Sequence, residues 1–492
     1  MFQTALPSRR EKVLPSDEYV PKAMPQQLGT FDMALTFLMV MFFINNPTET
    51  VGAGAVAFIY WGIATFAFFV PCIIVTAQLG TMFPHEGSLY NWTYKALGSF
   101  WGLFVGASFW APGILGMVSS AGLAVTFLQG LNSQWLAEPR AQGALIVLIL
   151  IFSSIISLQR FRTVLQLVNI TTLLMLCVIA FLGLAALIWV LTGHPVAASF
   201  THADNWAIQP GNYVLFSTVI FAYLGANVSM TMGSEIIDRK VVSRHLLRGG
   251  ALVLTCYMIV TLALFVVRGP HAASIGPFSV ISTIDQVFGR FVGSIAVVCV
   301  TAFFIVSTAL LNSIFGRVLM VAAIDRHLPI GLGKLDENRV PLNAIMFQTV
   351  IAVLFVTIVF LSPYLITIGN PVNLANEFFT VSLYARSQVW AISSSFLFIN
   401  LLVLYLRDRK SFHAQRIFPM PVLWACMIVA PLACVLAIVV ILSYSPIPHL
   451  IPTTVWAYVV GGLTGLWLVF TGVGSILASS EADWEDLKGE VR

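Results

Sequence analysis

The chain has 492 residues, of which 58% are hydrophobic and 9% charged, against about 25% charged in an average soluble domain. That balance, with a mean hydropathy of +0.91 and repeated long apolar runs, excludes a soluble globular protein and indicates an integral membrane protein. The net charge of +4 is too small to argue for a nucleic-acid partner, and the distribution of charge carries more information than its sum.

In chain order, a polar tail over 1–27 precedes the first apolar run and reads as a cytoplasmic tail rather than a cleavable signal. Windows of about 20 apolar residues then divide the chain into twelve spans. They run 29–54 (broken), 55–80, 100–130, 143–158, 163–191, 213–236 (broken), 249–267, 293–323, 344–361, 376–405, 418–443 and 454–478. Grouped by position, spans one to five fill 28–191, spans six to ten fill 192–406, and two further spans fill 407–478. A charged tail over 479–492 closes the chain. The connections at 81–99, 268–292 and 324–343 are long enough to carry short surface helices.

Lysine and arginine are distributed unevenly. With the N-terminus inside, most of the 25 basic residues fall on the cytoplasmic side, among them Arg9, Arg10, Lys12, Lys95, Arg239, Lys240, Arg317, Arg407 and Arg492. Arg140, Arg268 and Arg290 fall outside, and Arg386 in or near the tenth span. The positive-inside rule therefore places both termini in the cytoplasm, with the cell membrane (plasma or inner) as the expected location. All six cysteines fall in apolar segments without metal-ligand spacing and read as buried structural residues. The histidines, His202 and His245 included, fall in loops or at span ends, which argues against a proton relay or a metal site in the bilayer.

The first span is interrupted by Phe43-Ile44-Asn45-Asn46-Pro47-Thr48-Glu49. Proline removes a helical donor and clashes with the preceding turn, and irregular backbone at membrane depth is tolerated only inside protein or along a cavity. Asn45-Asn46-Pro47 is accordingly the expected break. Five spans later, Phe221-Ala222-Tyr223-Leu224-Gly225-Ala226-Asn227 interrupts the sixth span in the same manner. Paired interruptions of this kind point to a midplane binding site, where freed amides, carbonyls and half-helix ends suit an ionic ligand. Alternatively, Gly225 serves close helix packing.

Four stretches resemble the amino acid–polyamine–organocation (APC) superfamily. Leu28-Gly29-Thr30-Phe31-Asp32 looks like its entry into the first span. The run from Ala77 to Tyr90 is similar to its A-E-L-x-x-x-x-P-x-x-G-x-x-Y signature. Phe221-Ala222-Tyr223-Leu224-Gly225 with Glu235 resembles the sixth-span motif. Asn312 to Arg317, Asp325 to Pro329 and Pro341 to Ala344 resemble the run that joins spans eight and nine. The resemblance implies an all-α LeuT-type fold of five plus five spans in inverted repeat, two added C-terminal spans, and a substrate between the broken first and sixth spans. It also implies alternating access and no cofactor, with a proton or Na+ as coupling ion. Three departures stand out. Asn45-Asn46-Pro47 occupies the place of the family's G-S/T-G triplet, and Pro47-Thr48-Glu49 followed by Val51-Gly52-Ala53-Gly54 looks instead like the P-x-G-x-E…V-G-A-G of polyamine-type members. Gln78 replaces the usual glutamate. Thr171 and Thr172 lie near where some proton-coupled members carry lysine.

The candidate substrate-binding residues are Ile44, Asn45, Asn46, Thr48, Glu49, Trp110, Phe221, Ala222, Tyr223 and Gly225. Glu49, Glu235, Ser307, Thr308 and Arg386 are the coupling or gating candidates. An intramembrane carboxylate such as Glu49 would receive an ammonium group or a coupling proton, or else sit hydrated at the outer rim. Arg386 would pair with Glu377, meet a substrate anion, or mark the outer end of the tenth span. Ser307 and Thr308 are the hydroxyls a sodium site would use, although such residues commonly bond their own helix. No nucleophile with a base, no paired catalytic carboxylates and no filter sequence suggests an enzyme or a channel. The sequence thus predicts a secondary transporter of an amino acid, with a polyamine or other organic amine as the alternative substrate. A non-transporting nutrient sensor of the same fold is the alternative of another class. The expected partners are a small-molecule substrate and the bilayer, and the oligomeric state is left open.

Overall fold

The computed structural model describes residues 14–490 apart from 133, 202 and 366–369; Arg9, Arg10, Lys12, His202 and Arg492 lie outside the described residues. A chain that must satisfy its backbone without water has only helices and closed barrels open to it, and this one is helical. Among the described residues there is no extended strand, only an isolated parallel bridge between Leu28 and Ile236. Among the described residues, ten helices are long and apolar enough to cross a membrane, and two shorter apolar helices, Thr30–Met41 and Pro210–Ala222, occupy the segments expected to be broken. The protein is therefore a multi-span membrane protein.

The helix Arg290–Ile324 stands at the centre, with 67% of its most apolar window buried, and it packs along Ser99–Leu131. Phe161–Leu191, at 28%, lies at the periphery, where Leu173, Phe181, Leu184 and Leu187 are exposed. In water such a surface would be an aggregation patch; in a bilayer it is the ordinary exterior. Val56–Met82 carries a π-helical turn at Thr65–Phe69, a local widening often found near functional sites.

Several boundaries differ from the sequence expectation. The seventh segment begins at Arg239 rather than 249, because Asp238 caps it by accepting from the Lys240 amide at 3.1 Å. His245 therefore lies inside this helix, buried, with its ring bonded to Ser229 and to the Val241 carbonyl. The short helix Leu89–Leu97 is not a surface helix: Tyr90, Asn91, Trp92 and Thr93 are buried, and Trp92 donates to the Phe83 carbonyl. The expected C-terminal tail continues the last helix, Thr453–Glu490. All six cysteines are free, but Cys177 is exposed and Cys299 partly so, which departs from the buried reading. Gln78 is fully buried; it donates to the Gln415 carbonyl and accepts from the Ile417 amide. A glutamate could not make the first of these bonds when ionised.

Candidate functional site

The first broken segment stops at Met41, runs extended through Phe42, and resumes as the short helix Asn45–Thr50. The break thus covers residues 42–44, one turn before the expected Asn45-Asn46-Pro47. Pro47 is the third residue of the new helix, where a backbone N–H has no intrahelical partner to lose. The sixth segment stops at Ala222, turns through residues 223–227, and resumes as the tighter 3₁₀ helix Val228–Glu235. Gly225 sits in the left-handed region at φ +104°, and a Cβ there would lie 3.1 Å from the Trp390 ring and 3.5 Å from the Met41 sulfur. A side chain would be strained by both the backbone and the neighbours.

One hydroxyl joins the two breaks. Tyr257, on the seventh segment, donates to the Met41 carbonyl at 2.7 Å and accepts from the Phe43 amide at 3.3 Å and the Asn46 side chain at 3.2 Å. The Ala222 carbonyl of the other break lies 3.5 Å from the same oxygen. Its ring stacks on Trp61 at 4.6 Å. Sequence reasoning missed Tyr257 because nothing in an apolar run such as Leu254-Thr255-Cys256-Tyr257-Met258 distinguishes a clamp from packing.

Between the breaks lies a cavity of about 370 Å³, within the range of small-molecule sites. Its walls include Met41, Asn45, Asn46 and Glu49 from the first segment, and Thr218, Phe221, Ala222 and Leu224 from the sixth. Ser119 of the third and Tyr384, Arg386 and Trp390 of the tenth complete the deeper part. It continues past Thr126, Gln129, Gln142, Pro277 and Asn376. Glu49 accepts from Asn45 at 3.2 Å and has no cationic partner among the described residues, while Asn45 Oδ1 is buried without a hydrogen-bond partner. This end of the site is thus rich in acceptors and short of donors.

Other sequence candidates lie elsewhere. Ile44 and Thr48 are fully buried behind the wall, and Thr48 donates to the Asn45 carbonyl. Trp110 donates to Gln348 and stacks on Phe347, away from the cavity. Tyr223 stacks on Phe69 at 4.3 Å and hydrogen-bonds Thr65 in the π-helical turn. Gly225 holds the turn without lining the cavity. Thr308 bonds the Phe304 carbonyl of its own helix, whereas Ser307 reaches Ser120 and, at 3.5 Å, the Met39 carbonyl. Arg386 lies well inside helix Pro371–Arg407, not at its outer end, and does not pair with Glu377 among the described residues.

Glu235 belongs to a separate cluster on the lysine- and arginine-rich face. Arg317 donates to Glu235 at 2.7 and 3.0 Å, lies 3.2 Å from Glu86, and covers the Phe161 ring. Glu86 also accepts from the Ser234 hydroxyl at 2.6 Å. Burial first, and then the neighbouring Glu235 charge, push Glu86 well above the ordinary carboxylate range. Beside this cluster, the helix Pro15–Ala23 is tied down. Ser16 donates twice to Asp325, which also accepts from Tyr90, and Asp17 holds Lys95 at 2.6 Å and Asn91 at 2.8 Å. Burial raises Asp325 to about 6 against the opposing pull of the Ser16 and Tyr90 bonds. The amides of Gln27 and Leu28 bond the Glu235 carbonyl, so the start of the first segment is strapped to the end of the sixth.

Three relatives show what the chain is similar to. An uncharacterized transporter of Legionella pneumophila is 23% identical over 61% of this chain and 66% of that protein. A probable agmatine/putrescine antiporter of Lactococcus lactis is 29% identical over 20% of this chain and 21% of its own length. The polyamine transporter PUT1 of Oryza sativa subsp. japonica is 28% identical over 22% and 21%. The chain thus spans just under two thirds of the first relative and about a fifth of the other two. Across residues 28–473, nearly the whole membrane-embedded part, the sequence matches the amino acid permease family. With two interrupted apolar segments meeting at a charged cavity and this match along its length, the chain belongs to the amino acid permease family, within the APC superfamily of transporters.

Proposed function

We propose that the protein is a secondary transporter that takes an amino-bearing organic solute into the cavity between the two broken segments and passes it across the membrane by alternating access. The observation that carries this reading is Glu49. A carboxylate without a cationic partner in a membrane cavity is costly, and an ammonium group, with Asn45 Oδ1 as a second acceptor, would compensate it. Twelve spans in a LeuT-type arrangement, both termini in the cytoplasm and a place in the cell membrane are parts of the same reading, supported by the asymmetry of lysine and arginine. On it, the closed cluster of Glu86, Glu235 and Arg317 faces the cytoplasm, and the cavity is reached from outside.

Transport would be driven by a proton or proceed by exchange. A carboxylate cluster held by one guanidinium is a natural place for a proton to bind and leave, whereas a sodium site would rest on Ser307 and the Met39 carbonyl alone. An amino acid is the first substrate class. The polyamine reading is favoured by the anionic end of the cavity and by what two relatives are named for.

Uptake into proteoliposomes tests the proposal. Accumulation of a labelled amine or amino acid under a pH gradient or against internal substrate, reduced at least tenfold by Glu49→Gln, is the expected result. Binding without flux would sink it in favour of a sensor of the same fold. Bound substrate should also stabilise the protein by about 2.7 kcal/mol at a hundredfold excess over its dissociation constant.

A further inference from the structure

Arg386 is the second charge in the cavity, and its donors are mostly idle. Nη1 donates to the Ser119 hydroxyl at 2.9 Å, and that hydroxyl donates onward to the Leu115 carbonyl at 2.8 Å. Nε is buried with no hydrogen-bond partner, and the guanidinium lies 5.5 Å from the Trp390 ring centroid. No carboxylate pairs with it among the described residues. A guanidinium has five N–H donors in a fixed fork suited to a carboxylate, and leaving such a group uncompensated away from water is expensive.

Glu49 and Arg386 line the same cavity without forming an ion pair with each other. Each lacks a counter-charge, and the space between them is what a ligand would fill. At the first break the Phe43 amide is taken by Tyr257, the Asn46 amide by the Phe43 carbonyl, and Pro47 has no N–H. A ligand with a second cationic end would set like charge against Arg386.

We infer that the cavity selects a substrate carrying both an ammonium and a carboxylate, with the ammonium on Glu49 and Asn45 and the carboxylate on Arg386, so that a diamine is excluded. This rests on the amine site proposed above and deepens it. Arg386 becomes the specificity-determining residue that separates amino carboxylates from polyamines.

The purified protein can be titrated with alanine, γ-aminobutyrate, putrescine and butylamine, reading thermal shift and calorimetric affinity. The last three share a four-carbon chain and differ at the far end. At least one amino carboxylate should bind about tenfold or more tightly than butylamine, and putrescine no more tightly than butylamine. In Arg386→Gln the advantage of the amino carboxylate should disappear while butylamine affinity stays unchanged and putrescine gains. Wild-type protein that prefers putrescine overturns the inference without any variant, leaving the amine site standing if Glu49→Gln abolishes butylamine binding. Equal losses for butylamine and the amino carboxylate in Arg386→Gln also overturn it, since they would mark a structural role. No binding by any of the four, in wild type or Glu49→Gln, overturns the amine site and the carboxylate seat together.

Discussion

The cavity and the lysine- and arginine-rich face treat charge in opposite ways. On that face, every titratable group named has compensation: Arg317 holds two carboxylates, Asp17 holds Lys95, and Asp325 accepts from Ser16 and Tyr90. In the cavity, Glu49 has one amide donor and Arg386 one hydroxyl. Satisfied polar networks rigidify, while unsatisfied ones wait for a partner. One end of the molecule is therefore built to stay shut in this conformation, and the other to receive something. On the alternating-access mechanism proposed above, the shut end must also open, which protonation and rearrangement of its bonds would allow.

The largest break in this contrast should come from Arg317→Gln. It leaves Glu86 and Glu235 facing each other without their cation, which for a buried pair costs about 3–5 kcal/mol. Thermal unfolding in detergent should fall accordingly, and a substitution that leaves melting unchanged would mean the closed face is held by something else. Tyr257→Phe should cost about 1–3 kcal/mol, because the Met41 carbonyl and the Phe43 amide both lose their partner. Substrate affinity should drop with it, since the two breaks are no longer joined; a normal affinity would show the clamp to be dispensable.

The pH dependence sharpens the comparison at intermediate scale. Asp325 has its folded-state value raised to about 6 from an ordinary 3.8, so the folded protein binds that proton more tightly than the unfolded chain. Stability from this group is therefore gained as pH falls from above 6 toward 4, and is absent at higher pH. Melting temperature measured across that window should rise on acidification, and Asp325→Asn should flatten this part of the profile. Smallest of all is Pro47→Ala. With Pro47 in the first turn of its helix, the change should stay within about 0.5 kcal/mol. A large loss of stability or affinity would restore proline to the role its sequence position suggested.

Much of the architecture was legible in the chain because lipid leaves few choices. Runs of apolar residues about a membrane thick had to be helices, and the positions of Asn45 to Glu49 and of Phe221 to Gly225 marked the two interruptions. Even so, the first break fell at residues 42–44. What places a break is the partner that receives the freed amide, and Tyr257 comes from a distant segment. The same limit explains the candidates that moved. Trp110 and Tyr223 are aromatic, but the rotation of helix Ser99–Leu131 turned Trp110 to Phe347, and the turn at 223–227 set Tyr223 against Phe69. Spacing from Arg407 did not mark the outer end of this helix at Arg386, because helix Pro371–Arg407 starts fifteen residues earlier.

By itself, the sequence determined that this protein lives in a bilayer, which segments are helical, that two of them fail, and which family it belongs to. Those properties follow from local composition and from short ordered motifs. Only the tertiary structure decided that Glu49 and Arg386 face one cavity unpaired while Glu235 is consumed by Arg317. Whether a charge is free or satisfied depends on neighbours tens to hundreds of residues away, such as Arg317 for Glu235 and Ser119 for Arg386, and no local pattern encodes that.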